Sequence, residues 1–173
     1  SESIPYRHGE ELVIHLMWIV ERGEVAGGQT LDGLYHEDPK VRSNCAWILG
    51  QMGQRGVLSQ GHLMMPHLET LLTDEHEAVR LEAATSLIAL GDFAAAPVLI
   101  EGMDSESPRA RFLCSKTLER ATNREVEFDH LASDPAERAE SIAVWRRWWA
   151  KQSNDPFFHD NYAKTYGLPT LAE

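Results

Sequence analysis

The sequence predicts an all-α protein, a right-handed superhelix of stacked helix pairs with a capping helix at each end. Three observations predict it. A stretch recurs: residues 37–53 (EDPKVRSNCAWILGQMG), 75–91 (EHEAVRLEAATSLIALG) and 106–122 (ESPRARFLCSKTLERAT) align without gaps. Their shared columns include Val41/Val79/Ala110, Arg42/Arg80/Arg111, Ala46/Ala84/Ser115, Leu49/Leu87/Leu118 and Met52/Leu90/Ala121. The arginines stand 38 and 31 residues apart, within the range of periods that mark stacked repeats. Inside each copy the apolar residues fall at helical spacing, as in Val41, Cys45, Leu49 and Met52. Each copy also opens with a helix start: Asp38 before Pro39, Ser107 before Pro108, and Asp74 three residues ahead of Glu77. A short polar side chain there accepts an orphan backbone N–H, and proline in the first turn loses no hydrogen bond.

Taken in order, residues 1–7 carry no element signal. Residues 9–22 (GEELVIHLMWIVER) are apolar on more than one narrow face, which predicts an N-terminal cap covered on more than one side. Residues 24–35 form the weakest helix, because interior Gly27, Gly28 and Gly33 cost about 1 kcal/mol each. Gly28, Pro66 and Pro97 each stand fourteen residues ahead of a repeat arginine and mark a first helix in every pair; mid-helix proline is expensive, so each proline belongs near a start. Gly53 and Gly91 are expected to close their units as C-terminal glycines. The repeats therefore run about 24–53, 57–91 and 92–122. An irregular stretch from Asn123 to Ser133 precedes a last helix, 134–151, opened by Asp134-Pro135 with Glu137 in capping-box position. On that helix Ile142, Trp145, Trp148 and Trp149 share a face, which is expected to seal the final repeat. One domain is expected over residues 1–152, followed by an aromatic tail, 153–173, with Phe157, Phe158, Tyr162 and Tyr166. Helices of this kind cannot bury their apolar stripes alone, so the pairs must stack.

The segment PHLETLLTDEHEAVRLEAATSLIALG, residues 66–91, resembles a HEAT repeat of the bacterial type named after phycobilisome lyases. The proline, the leucine pair, Asp74, Val79-Arg80 and the Ala-x-x-Leu-x-x-Leu-Gly ending carry the resemblance, which extends over roughly residues 24–122. It implies the solenoid fold and is nearly silent on function. It also implies that the column arginine stacks between neighbouring units and pairs with an acid such as Asp74. His36 and Ser105 occupy the equivalent positions elsewhere, so that ladder is expected to be incomplete. The 134–151 region likewise resembles a C-terminal extension of such repeats.

Hydrophobic residues are 43% and charged residues 25% of the chain, ordinary for a soluble protein, and no apolar run is long enough to span a membrane. No charged-then-apolar leader opens the sequence; a start at Ser1 is compatible with an initiator or a signal removed beforehand. The net charge is −11, and residues 57–108 hold nine acids against a single base, Arg80. That distribution argues against nucleic acid, whose phosphates need neutralising, and favours a protein partner with a basic surface. Cys45 and Cys114 share a repeat column two units apart, about 20 Å by helix-packing distances, which is too far for a disulfide. Both read as reduced core residues, a weak lean toward a reducing compartment such as the cytoplasm.

No catalytic, cofactor or metal constellation is expected. One enzyme family built on similar repeats, the deoxyhypusine hydroxylases, holds two irons on His-Glu pairs directly after the arginine column. Here those positions are Ser43-Asn44, Leu81-Glu82 and Phe112-Leu113, and the pairs His36-Glu37 and His76-Glu77 fall in turns instead. His15 reads as a packed histidine, and His62 and His67 do not share a helical face. No Cys-x-x-Cys, phosphate loop or nucleophile elbow occurs. The expected function is a non-catalytic interaction scaffold whose second helices line a concave acidic face. Candidate binding residues are Asn44, Trp47 and Gln51, then Glu82 and Thr85, then Leu113 and Lys116, with Trp47 as anchor because tryptophan is enriched at binding hot spots. Glu82 is expected to project from that face, and Glu75, Glu77 and Asp104 from the turns. The family name alone implies an alternative, a bilin lyase or its chaperone-like partner.

Overall fold

The computed structural model describes residues 9–56 and 61–155, all helix, turn or irregular chain. The helices are α1 (Gly9–Glu21), α2 (Glu24–Gly33), α3 (Pro39–Gln54), α4 (Met65–Thr70), α5 (Glu77–Ala89), α6 (Ala96–Gly102), α7 (Pro108–Thr122) and α8 (Pro135–Gln152). The expected tail beyond residue 155 and the His15 and His62 side chains lie outside what the structure describes. The chain divides between Leu90 and Gly91 into two compact units.

In the first unit α2 pairs with α3 and α4 with α5, while α3 also packs on α1 and α5. The starts follow the sequence signals. Asp38 caps α3 by accepting from the Lys40 N–H, and Pro39 and Pro66 stand in the first turns of α3 and α4. The start of α5 differs from expectation. Its cap position is His76, whose side chain makes no capping bond. Asp74, two residues earlier, accepts the His76 N–H at 2.9 Å and is otherwise held by Arg42, so its carboxylate ties two repeats together.

Gly53 also differs. It lies inside α3, and the left-handed glycine that follows the helix is Gly56, at φ 63°. Gly53 is small for packing: a Cβ there would overlap the Leu90 side chain, and one on Gly50 would meet Ser86 Oγ, Cβ and Cα at 2.5, 2.8 and 3.0 Å. Ser86 Oγ donates to the Ala46 carbonyl at 2.9 Å. Ala46, Gly50 and Gly53 thus form a small-residue stripe along which α5 lies closely against α3. Gly91, at φ 92°, does close its unit as expected.

In the N-terminal helix the described side chains differ in burial. Leu16 and Val20 are buried, while Ile14 is 69% and Trp18 53% exposed. The guanidinium of Arg22 lies over the Trp18 ring, 4.7 Å from its centroid.

In the second unit α6 packs on both α7 and α8. Ser107 caps α7 and Asp134 caps α8, each followed by its proline. Asn123, in the left-handed conformation at φ 50°, ends α7 and opens the irregular stretch. Ile142, Trp145 and Trp148 are buried and Trp149 half-buried. Trp148 meets Phe93 and Trp145 edge-on, at ring-centroid distances of 6.3 and 5.5 Å, an arrangement aromatic quadrupoles favour. The aromatic face of α8 is therefore core. Cys45 and Cys114 are both buried and in no disulfide, and burial pushes the Cys45 thiol up to about 11.

One construction repeats in both units. Arg42 Nη1 donates to the carbonyls of His36 and Glu37 at 2.8 and 3.0 Å. Arg80 Nη1 does the same to Asp74 and Glu75 at 2.7 and 3.1 Å. Arg111 Nη1 reaches Ser105 and Glu106 at 2.7 and 3.2 Å, and Arg138 Nη1 reaches Ala132 and Ser133 at 2.8 and 3.1 Å. Each arginine therefore clamps the carbonyls six and five residues before it, in the turn that leads into its own helix. Carbonyls in such a turn lack helical partners, and a charged donor is a strong substitute. The ladder does not depend on an acid in every unit. It also has a fourth member, Arg138.

Candidate interaction face

The close seam between α3 and α5 sets the register of the face beside it. Gly50 stands opposite Ser86 and Gly53 opposite Leu90, so the two helices run parallel and Trp47 lies level with the turn that carries Glu82 and Thr85. Asn44, Trp47 and Gln51 follow one side of α3, and Glu82 and Thr85 one side of α5; all five are half-buried. Glu82 shares its side of α5 with Ser86, four residues on, and so stands at the edge of the seam.

Glu82 makes no hydrogen bond or ion pair among the described residues, and burial alone pushes its carboxyl up to about 7. No neighbouring charge contributes to that shift. It does not behave as the projecting charge the sequence suggested. The Thr85 hydroxyl is buried and also without a partner, although a helical threonine ordinarily bonds a carbonyl one turn back. A carboxyl and a hydroxyl on α5 thus have their hydrogen-bonding capacity unspent among the described residues, and such groups are few in folded proteins.

Two exposed acids, Glu75 and Glu77, stand at the start of α5. Asp74 is not available: its carboxylate takes Arg42 Nε and Nη2 at 2.7 and 2.9 Å, and Arg42 holds it well below the usual carboxylate range. Asp104 is exposed but occupied, accepting Arg138 Nη2 at 2.6 Å. The remaining sequence candidates, Leu113 and Lys116, lie half-buried on α7 in the second unit, with Lys116 Nζ paired to Glu119 at 2.5 Å.

The turn histidines serve the backbone and its neighbours. His36 Nδ1 accepts the Asp38 N–H at 3.0 Å, and His76 Nδ1 lies 3.6 Å from Asp74 and 3.5 Å from Glu75. Among the described residues no group of three or more His, Cys, Asp or Glu side chains could hold a metal ion, and no helix is long and apolar enough to cross a membrane. Sequence reasoning missed Arg138. Its signal was present: Asp134-Pro135-x-x-Arg138 repeats the spacing of Asp38-Pro39-x-x-Arg42 and Ser107-Pro108-x-x-Arg111.

The profile of the family described as HEAT repeats matches residues 29–119. No curated protein matches the chain.

Proposed function

Because the chain belongs to the HEAT-repeat family, whose members are generally protein-interaction scaffolds, we propose that it is a non-catalytic adaptor that binds a protein with a basic surface on the α3–α5 face. The observation that carries the proposal is Glu82. It is a half-buried carboxyl with no partner among the described residues, raised to about 7 by burial. A lysine or arginine from a partner would supply the missing charge and draw the carboxyl into its ionised form. The exposed Glu75 would help steer the approach, while Trp47 would set residence time. Leu113 and Lys116, on α7, are proposed as binding residues of the second unit by itself, and the phycobilisome-lyase-like subtype is the finer assignment suggested by residues 66–91.

The test compares wild type, Trp47→Ala and Glu82→Lys as immobilised baits, followed by association kinetics with whatever only the wild type retains. Charge reversal at Glu82 should slow association and flatten its dependence on salt. Trp47→Ala should speed dissociation about 30-fold if the indole contributes ~2 kcal/mol. Binding that strengthens with salt, or that neither substitution alters, sinks the proposal.

A further inference from the structure

In the second unit the stretch between α7 and α8 runs without helix or turn from Arg124 to Asp129. Its side chains alternate. Glu125, Glu127 and Asp129 are exposed, whereas Val126, Phe128 and His130 are half-buried, the period of two that belongs to a strand. The backbone is tied at two points. Ser141 Oγ on α8 donates to the Glu127 carbonyl at 2.6 Å, and Arg111 Nε on α7 donates to the His130 carbonyl at 2.8 Å. The rest of it is unspent. Among the described residues the backbone N–H groups of Glu125 through His130 donate to nothing, and the carbonyls of Glu125, Val126 and Phe128 accept nothing. At the C-terminal end of the stretch Leu131 is 67% and Phe112 45% exposed, with the centroid of the Phe112 ring 4.9 Å from that of His130.

We propose that residues 125–129 are an open strand edge that takes an extended basic segment of a partner protein, with a lysine or arginine at every second position. A row of unpaired N–H and C=O groups is a template for another chain. Strand addition draws affinity from main-chain bonds and specificity from alternate side chains. The acids choose the occupant. In an added antiparallel strand, the more stable pairing, the residues opposite Asp129, Glu127 and Glu125 recur at every second position on one face. Cations there meet every acid. A neutral strand leaves the acids unpaired, and this same stretch of a second copy repels them. Leu131, the next residue of the same parity, sets an apolar residue ahead of the first cation. The groups involved all belong to the second unit, and the inference does not rest on the reading of the α3–α5 face.

Two synthetic peptides test it, acetyl-Leu-Thr-Lys-Thr-Lys-Thr-Lys-amide and the same sequence with its backbone nitrogens methylated, titrated into the full chain at low ionic strength. Their charges are equal, so bulk electrostatics treats them alike, but the methylated form cannot donate to a ladder. The proposal expects the parent peptide to bind about ten-fold or more tightly. That advantage should shrink in Glu127→Lys, a change at an exposed side chain. Amide hydrogen exchange locates the contact without any variant. The amides of residues 125–130 should exchange freely in the chain alone, and alternate ones among them should slow when the parent peptide is added. Protection of these amides before any peptide is present means that the edge is already covered and overturns the proposal. Equal affinities for the two peptides, failure of both to bind, or slowing confined to amides outside residues 125–130 each overturn it as well.

Discussion

Replacing Glu82 with glutamine should stabilise the protein above neutral pH and leave its stability unchanged in acid. The unfolded chain releases the Glu82 proton near 4.5, whereas burial in the native state pushes that release up to about 7. Between the two values the native state holds a proton that the unfolded state has lost, so the unfolding free energy falls as pH rises, by about 1.4 kcal/mol per pH unit for one proton. The full window corresponds to roughly 3 kcal/mol. Glu82 keeps some contact with solvent, so a gap of about 2 kcal/mol is the working expectation. Below about pH 4 the carboxyl is protonated in both states, and glutamine, nearly its isostere, should match wild type. Asp74 does not confuse the comparison. Its native carboxyl is held low by Arg42, so its contribution is present above the ordinary aspartate range and is lost only as pH falls below it. Urea unfolding followed by circular dichroism, at steps from about pH 5 to about pH 8, measures the gap directly. The reasoning is refuted if the gap stays constant or widens toward acid. A carboxyl resonance of Glu82 that titrates like an ordinary glutamate refutes it independently.

Two glycine substitutions should act in opposite directions. Gly50→Ala drives a Cβ to 3.0 Å from Ser86 Cα and should cost about 1–3 kcal/mol in thermal or urea unfolding. Gly28→Ala, with nothing within 4 Å of the added carbon, should stabilise α2 by about 0.5–1 kcal/mol. Asp74→Ala should cost about 3 kcal/mol, since it strands the fork of Arg42, whose side chain is only 11% exposed, and the His76 N–H. A double-mutant cycle with Arg42→Met should recover much of that loss as coupling, and near-additivity would argue against the pair. Cys45 and Cys114, both buried, should resist a thiol reagent in the native state and react fully after unfolding; fast native labelling of both contradicts the packing.

The helices were legible because their signals are local. Asp38-Pro39, Ser107-Pro108 and Asp134-Pro135 mark caps with residues whose preferences act within one turn, and all three caps form. Asp74 looked like a fourth cap because aspartate near a helix start usually is one, yet its strongest partner, Arg42, lies 32 residues back. Sequence spacing does not reveal competition of that range. Gly53 was misassigned for a related reason. A glycine near a helix end satisfies either a left-handed turn or a close contact, and the contact is with Leu90 of another helix. Arg138 escaped notice because the leucine columns of the repeat become Trp145 and Trp148 on α8, which hides the match unless the clamp itself is aligned.

The candidate face was legible in direction but not in depth. Helical spacing alone puts Asn44, Trp47 and Gln51 on one side of α3, and Glu82 and Thr85 on one side of α5. What it cannot give is how near the two helices lie or how far each side chain on them is buried. Ala46, Gly50 and Gly53 leave no side-chain bulk on α3, so α5 comes close enough for Ser86 Oγ to reach the Ala46 carbonyl. Glu82 sits one turn before Ser86 on the same side of α5, and its carboxyl is held out of water by burial. Burial pushes this acid up to about 7. The close seam and the raised carboxyl thus lie one helical turn apart on α5, the first made by small residues that carry no functional group and the second by burial.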